Sequence, residues 1–78
     1  MMSITLDQMT KGTKGKVVSI TGGRGAMLKL AAQGIAPGMT IEKVGHLRGG
    51  PVLVKVGQSQ VAIGRGLASK VVVRIITE

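Results

Sequence analysis

No aromatic side chain occurs anywhere in this chain of 78 residues, so any core must be built from Val, Ile, Leu, Met and Ala. A chain of this length buries only about 60% of the surface its unfolded form exposes, so that core has to be dense. Val and Ile dominate, and branching at Cβ suits a pleated, half-buried surface better than a helix. Thirteen glycines against two prolines cut the chain into short segments, which favours many tight turns over a flexible linker. These constraints predict one small, mainly β domain.

The apolar pattern places the segments. Leu6–Met9 reads as one helical turn with Leu6 and Met9 facing the same way, and Thr10–Gly15 reads as a turn. Lys16–Thr21 alternates as a strand, with Val18 and Ile20 on one face and Val17, Ser19 and Thr21 on the other. Gly22–Gly25 breaks it. The period then becomes helical within Arg24–Gln33, where Met27, Leu30 and Ala31 share a face and Leu28 lies beside it. Gly34 stands where a left-handed C-cap would stop that helix, and Pro37 follows. Further strands are expected over Thr40–Leu47, with an irregularity near Gly45, and over Val52–Val56, Gln60–Gly64 and Lys70–Thr77. Turns at Arg48–Pro51 and Gly57–Ser59, and a bend with a helical turn at Gly64–Ser69, separate them. Five short strands between glycine turns predict a small closed or partly closed barrel with one inserted helix.

The inventory of reactive groups argues against an enzyme. There is no cysteine, hence no disulfide framework, thiolate nucleophile or thiolate metal site. The serines (Ser3, Ser19, Ser59, Ser69) share one histidine, His46, and the only acids are Asp7, Glu42 and Glu78. Nucleophile, base and orienting group are hard to assemble from so few, so no catalytic residue is expected. Glu42 and His46 are four apart on one strand and would share a face at up to about 14 Å, too far for one ion. His46 reads instead as an exposed strand-end residue, with a shared site between chains the only metal role left open to it or Glu42. No metal ligand and no cofactor are expected within one chain. The glycine clusters fail as phosphate cradles: Gly12–Val17 lacks the spacing and the hydroxyl, and Gly23-Arg24-Gly25 and Gly64-Arg65-Gly66 lack the third glycine. Glycines at turns with positive φ are the simpler expectation.

Eleven Lys and Arg against three acids give a formal charge of +8, carried by single residues spread from Lys11 to Arg74. Such a balance suits an acidic protein, a nucleic acid or an anionic membrane, and also a merely solvated surface. Single-strand recognition usually stacks bases on aromatic rings, and none are available, so no specific nucleic-acid partner is expected. The longest apolar runs, such as Val71–Val73, fall far short of a membrane span. The N-terminal Met1–Asp7 shows no targeting pattern, and a cytoplasmic location is expected.

Several segments, taken in order, carry a family resemblance. They are Leu6–Met9, Gly15–Val18, Gly22–Gly25, Leu30–Gly38, Ile41–Val44, Gly49–Val52 and Ile63–Ala68. In sequence and spacing this pattern resembles the FeoA family, small cytosolic proteins of ferrous iron uptake. The most specific parts are Leu30-Ala31-Ala32-Gln33-Gly34-Ile35-Ala36-Pro37-Gly38 and Gly64-Arg65-Gly66-Leu67-Ala68. The resemblance implies an SH3-like barrel with a helix inserted after the first strand, similar also to the C-terminal domain of iron-dependent repressors. It implies an accessory of the FeoB transporter, docking on that protein's cytosolic, GTP-hydrolysing part, peripheral to the membrane through its partner and with room for weak self-association. The expected docking residues are Met27, Leu28 and Lys29 on the helix, with Arg24, Arg48 and Arg65 meeting acidic groups. The alternatives are a basic SH3-like nucleic-acid-associated module and a metal-responsive regulator without its DNA-binding half.

Overall fold

A computed structural model of the protein describes residues 3–77; Met1, Met2 and the third candidate carboxylate, Glu78, lie outside the described residues. Six strands form one antiparallel sheet: β1 (Ser3–Thr5), β2 (Lys14–Ile20), β3 (Thr40–His46), β4 (Val52–Val56), β5 (Ser59–Ile63) and β6 (Val71–Ile76). A 3-10 turn at Leu6–Gln8 follows β1, helix α1 (Gly23–Ala31) links β2 to β3, and a single-turn helix α2 (Arg65–Ala68) links β5 to β6. The sheet order is β1-β6-β2-β3-β4-β5.

The mainly β, SH3-like expectation holds, with two differences. There are six strands rather than five, because β1 pairs Ser3–Thr5 with Val72–Arg74 of β6. A three-residue strand is too short for alternation to announce itself in a sequence. The sheet also curls without closing, leaving β1 and β5 as its edges. Its concave face is filled by the aliphatic core: Leu6 and Met9 from the first turn, Val17, Ile41, Val54, Ile63, Val71 and Val73 from the strands, and Leu30 and Ile35 from α1 and its exit.

Two β-bulges decide which side chains reach that core. In β2 the pairing to β6 shifts between Val17 and Ser19, so Val17 is buried, Val18 is left exposed and Ile20 turns back to pack on the core. Uninterrupted alternation, as read from the sequence, puts Val17 and Ile20 on opposite faces; the extra residue brings both inward. In β3 the pairing to β4 shifts between Lys43 and Gly45, which is where an irregularity was expected.

Helix α1 begins at Gly23, and its inward face is Ala26 and Leu30 rather than Met27, Leu30 and Ala31. The difference is a rotation of the apolar stripe, and it leaves Met27 46% and Leu28 60% exposed. The helix ends in a Schellman pattern, as Gly34 N donates to Ala31 O at 2.9 Å and Ile35 N to Leu30 O at 3.0 Å. Gly34 takes φ +86°, while a Cβ there would meet only the Val56 side chain at an ordinary 3.5 Å. Gly34→Ala is therefore expected to cost about 1–2 kcal/mol through backbone strain alone, read as a lower urea midpoint with unchanged slope.

Candidate partner-binding surface

The six expected docking residues fall into two groups. Arg24, Met27, Leu28 and Lys29 lie on α1 and are all exposed. With Ala26 and Leu30 pointing inward, the 100° spacing of helical residues sets Leu28 at the centre of the solvent side. Water-facing helix centres ordinarily carry polar residues. Here the apolar Met27, Leu28 and Ala31 are exposed together, with Arg24 one turn before Leu28 on the same side and Lys29 at the margin. Gly25 shares the exposed side; its φ is not positive, and nothing lies within 4 Å of where its Cβ would stand. Gly25 stands in the first turn of α1, where glycine is a poorer helix former than alanine, and the fold gives no reason for it.

Arg48 and Arg65 lie together at the other site. They line one shallow cleft of about 220 Å³ with Asp7, His46, Leu47, Gly49 and Val52, to which α1 contributes nothing. Arg48 is lifted out by the β3–β4 turn, which Gly50 N closes on Leu47 O at 2.8 Å. Gly49 takes φ +66° at the third turn position, as a type II turn requires. Arg65 opens α2, a short helix held down by the fully buried Ala68. Gly64 and Gly66 flank Arg65 with no positive φ and open space where a Cβ would be. Positive φ explains Gly22, Gly23 and five other glycines, but not these two or Gly25.

His46 is an exposed strand-end residue, as expected, yet it does not share a face with Glu42. The β3 bulge places Glu42 opposite Lys55 of β4 and His46 opposite the buried Val52. Glu42 also pairs in register with Lys14 of β2 and so stands between two cations on the outer surface. Cross-strand charge neutralisation is a sufficient role for it. Among the described residues no group of three or more His, Cys, Asp or Glu is placed to hold a metal ion.

One important residue is missed by the sequence reading. Lys43 points into the core side of β3 opposite Val54 and is 2% exposed. Its stem packs inside the sheet while Nζ donates to the main-chain oxygen of Asp7 at 3.0 Å, tying β3 to the 3-10 turn. The Asp7 carboxylate accepts a hydrogen bond from Thr5 Oγ1. Burial pulls the Lys43 ammonium below the ordinary lysine range, and the nearby Asp7 charge partly opposes this. The available signal was its place two residues after the core residue Ile41 in a strand of period two.

A small six-stranded antiparallel sheet with one helix inserted after β2 and a single helical turn before β6 places the chain in the SH3-like fold class. The FeoA domain model matches residues 4–75, and the chain belongs to the FeoA family, a family of ferrous iron transport accessories. It is 44% identical over 57 residues to a protein of Methanocaldococcus jannaschii assigned as Fe(2+) transport protein A, covering 73% of this chain and 68% of that one. The crystal structure of an iron uptake regulatory protein (FeoA) superposes with a TM-score of 0.89 at 42% identity, covering 97% of this chain and 100% of the other. The structure of ScaR with bound Cd2+ matches 94% of this chain and 35% of ScaR, with a TM-score of 0.83 at 16% identity, which shows a shared fold alone.

Proposed function

We propose that the protein is a cytoplasmic accessory of ferrous iron uptake that docks on the cytosolic, GTP-hydrolysing part of a FeoB-type transporter and modulates transport. The observation that carries this reading is the apolar solvent side of α1, with Leu28 at its centre, in a chain of a transport family. Met27 and Leu28 would supply the desolvated anchor, Gly25 would let partner backbone approach closely, and Arg24 and Lys29 would meet acidic groups at the rim. Arg48 and Arg65 form a second cationic contact. Among the described residues no helix is long and apolar enough to cross a membrane, so in this reading the partner brings the protein to the bilayer. The role is binding, without catalysis.

The test is binding of the purified cytosolic transporter domain to immobilised protein, with and without nucleotide, at low and physiological salt. Leu28→Asp is expected to weaken binding at least about tenfold, the size of a modest hot spot, while the urea midpoint stays within error of wild type. Gly25→Gln is expected to weaken binding likewise without loss of stability. Undiminished binding by both variants would remove α1 from the interface. Failure of the wild-type protein to bind, together with salt-sensitive retention of RNA, would overturn the reading itself.

A further inference from the structure

Strand β5 is an unprotected sheet edge. It pairs with β4 from Val56↔Ser59 to Val52↔Ile63 without a register shift, and among the described residues no strand pairs with its other side. Exposed edges are normally blunted by lysine, proline or a bulge, because their free N–H and C=O groups template pairing with another chain. The β5 sequence Ser59-Gln60-Val61-Ala62-Ile63 contains no charged residue and no proline. The two-residue turn Gly57–Gln58 makes Val56 and Ser59 its closing pair. By antiparallel alternation, Gln60 and Ala62 then direct their main-chain groups away from β4. Both residues are exposed.

The surroundings specify what could pair there. Beyond Ile63 the edge runs into Gly64-Arg65-Gly66, whose two glycines the fold does not require. It meets the cleft where Arg48 and Arg65 lie beside Val52, the register partner of Ile63. A second copy of this chain would bring another charge of +8 against this edge, with Lys55 on the neighbouring strand and Arg65 at its end. Like charge therefore guards the edge against self-pairing and favours an acidic strand.

We propose that the β5 edge captures an extended acidic segment of a protein partner as an added strand, with a carboxylate of that segment held in the Arg48–Arg65 cleft. The inference rests on the docking reading above and supplies a second, strand-mediated contact distinct from α1. Main-chain pairing to Gln60 and Ala62 gives affinity, the arginines select acidic side chains, and Gly64 and Gly66 leave room for the incoming backbone.

The experiment is an amide NMR titration of the intact protein with a blocked heptapeptide of alternating Val and Glu, and with its Val–Lys counterpart. The expected result is shift changes and slowed hydrogen exchange at Gln60 and Ala62 with the Glu peptide only. Ala62→Pro removes an outward N–H that the fold does not use, a position where an edge strand tolerates proline. It is expected to lower affinity at least about tenfold, as is the double variant Arg48→Ala/Arg65→Ala, whose exposed side chains carry no part of the core. The proposal is overturned by equal response to the Lys peptide, by changes confined to α1, by wild-type affinity in the double variant, or by pairing of β5 with a second copy before peptide is added. A positive peptide result with no binding to the transporter domain keeps the strand site and discards the transporter as its owner. The reverse result discards the strand site alone.

Discussion

Leu30→Ala is expected to remove a large share of the domain's stability and lower its urea midpoint steeply, the largest effect of any single substitution in α1. Leu30 is fully buried, and its carbonyl anchors the Schellman turn that delivers the equally buried Ile35 to the core. Truncating a buried leucine costs about 2–5 kcal/mol through lost transfer energy and the cavity left behind. A domain of this size holds about 4–12 kcal/mol in total, at about 0.05–0.15 kcal/mol per residue. An all-aliphatic core has no large ring beside the hole to fold into it. Two positions away, Leu28→Asp should move the urea midpoint hardly at all, because Leu28 is 60% exposed. The contrast tests the orientation of α1 directly. Comparable losses at both positions would mean that the helix is rotated from the arrangement described.

The second large effect is expected at Lys43, where the outcome depends on which part of the side chain is removed. Lys43→Ala deletes three carbons of the buried stem and the bond to the Asp7 main chain, at an expected cost of about 2–4 kcal/mol. Lys43→Met keeps most of the stem and removes the buried charge. It should lie within about 1 kcal/mol of wild type, because losing one part-buried hydrogen bond to Asp7 is offset by removing the desolvation cost of the ammonium.

The charge itself has a pH signature. Burial lowers the folded-state pKa of Lys43 below the unfolded value. Below both values each state is protonated, and the folded state bears the full cost of a desolvated ammonium. Between them the unfolded chain binds the extra proton, so stability rises with pH up to the ordinary lysine range near about 10.4. The urea midpoint of the wild type should climb through that window, and that of Lys43→Met should climb less. Parallel profiles in the two proteins would show that Lys43 is charged at little cost.

Much of the β architecture could be read from local pattern. The strands β3, β4, β5 and β6 lie close to their expected bounds because alternation, glycine turns and β-branched residues agree there. The Gly34 stop is where the sequence puts it, since a left-handed cap is a local requirement of the backbone. Where the reading failed, a non-local event was responsible. The bulge in β2 exists because β6 pairs on either side of it, and it reassigns Ile20 to the face of Val17. The bulge in β3, although expected in place, separates Glu42 from His46 in a way that spacing along one strand does not reveal.

The candidate surface divides along the same line. Arg24, Met27, Leu28 and Lys29 were identifiable as a group because four exposed residues of one helix needed only that helix. That Arg48 and Arg65 share a cleft depends on β4 pairing Val52 with both His46 of β3 and Ile63 of β5, and so on the whole sheet.

The absence of aromatic residues, from which the chain's possibilities were first narrowed, determined by itself a dense core of branched aliphatic side chains on a small β framework. The charge and the sparse reactive groups pointed to binding rather than catalysis, and the ordered glycine motifs pointed to the family. Only the tertiary structure decided which apolar residues are left outside, that a lysine fills a core position, and that one uncharged edge strand stands open beside two arginines. Burial and pairing are properties of the assembled sheet, where one extra residue in a strand exchanges the faces of all that follow.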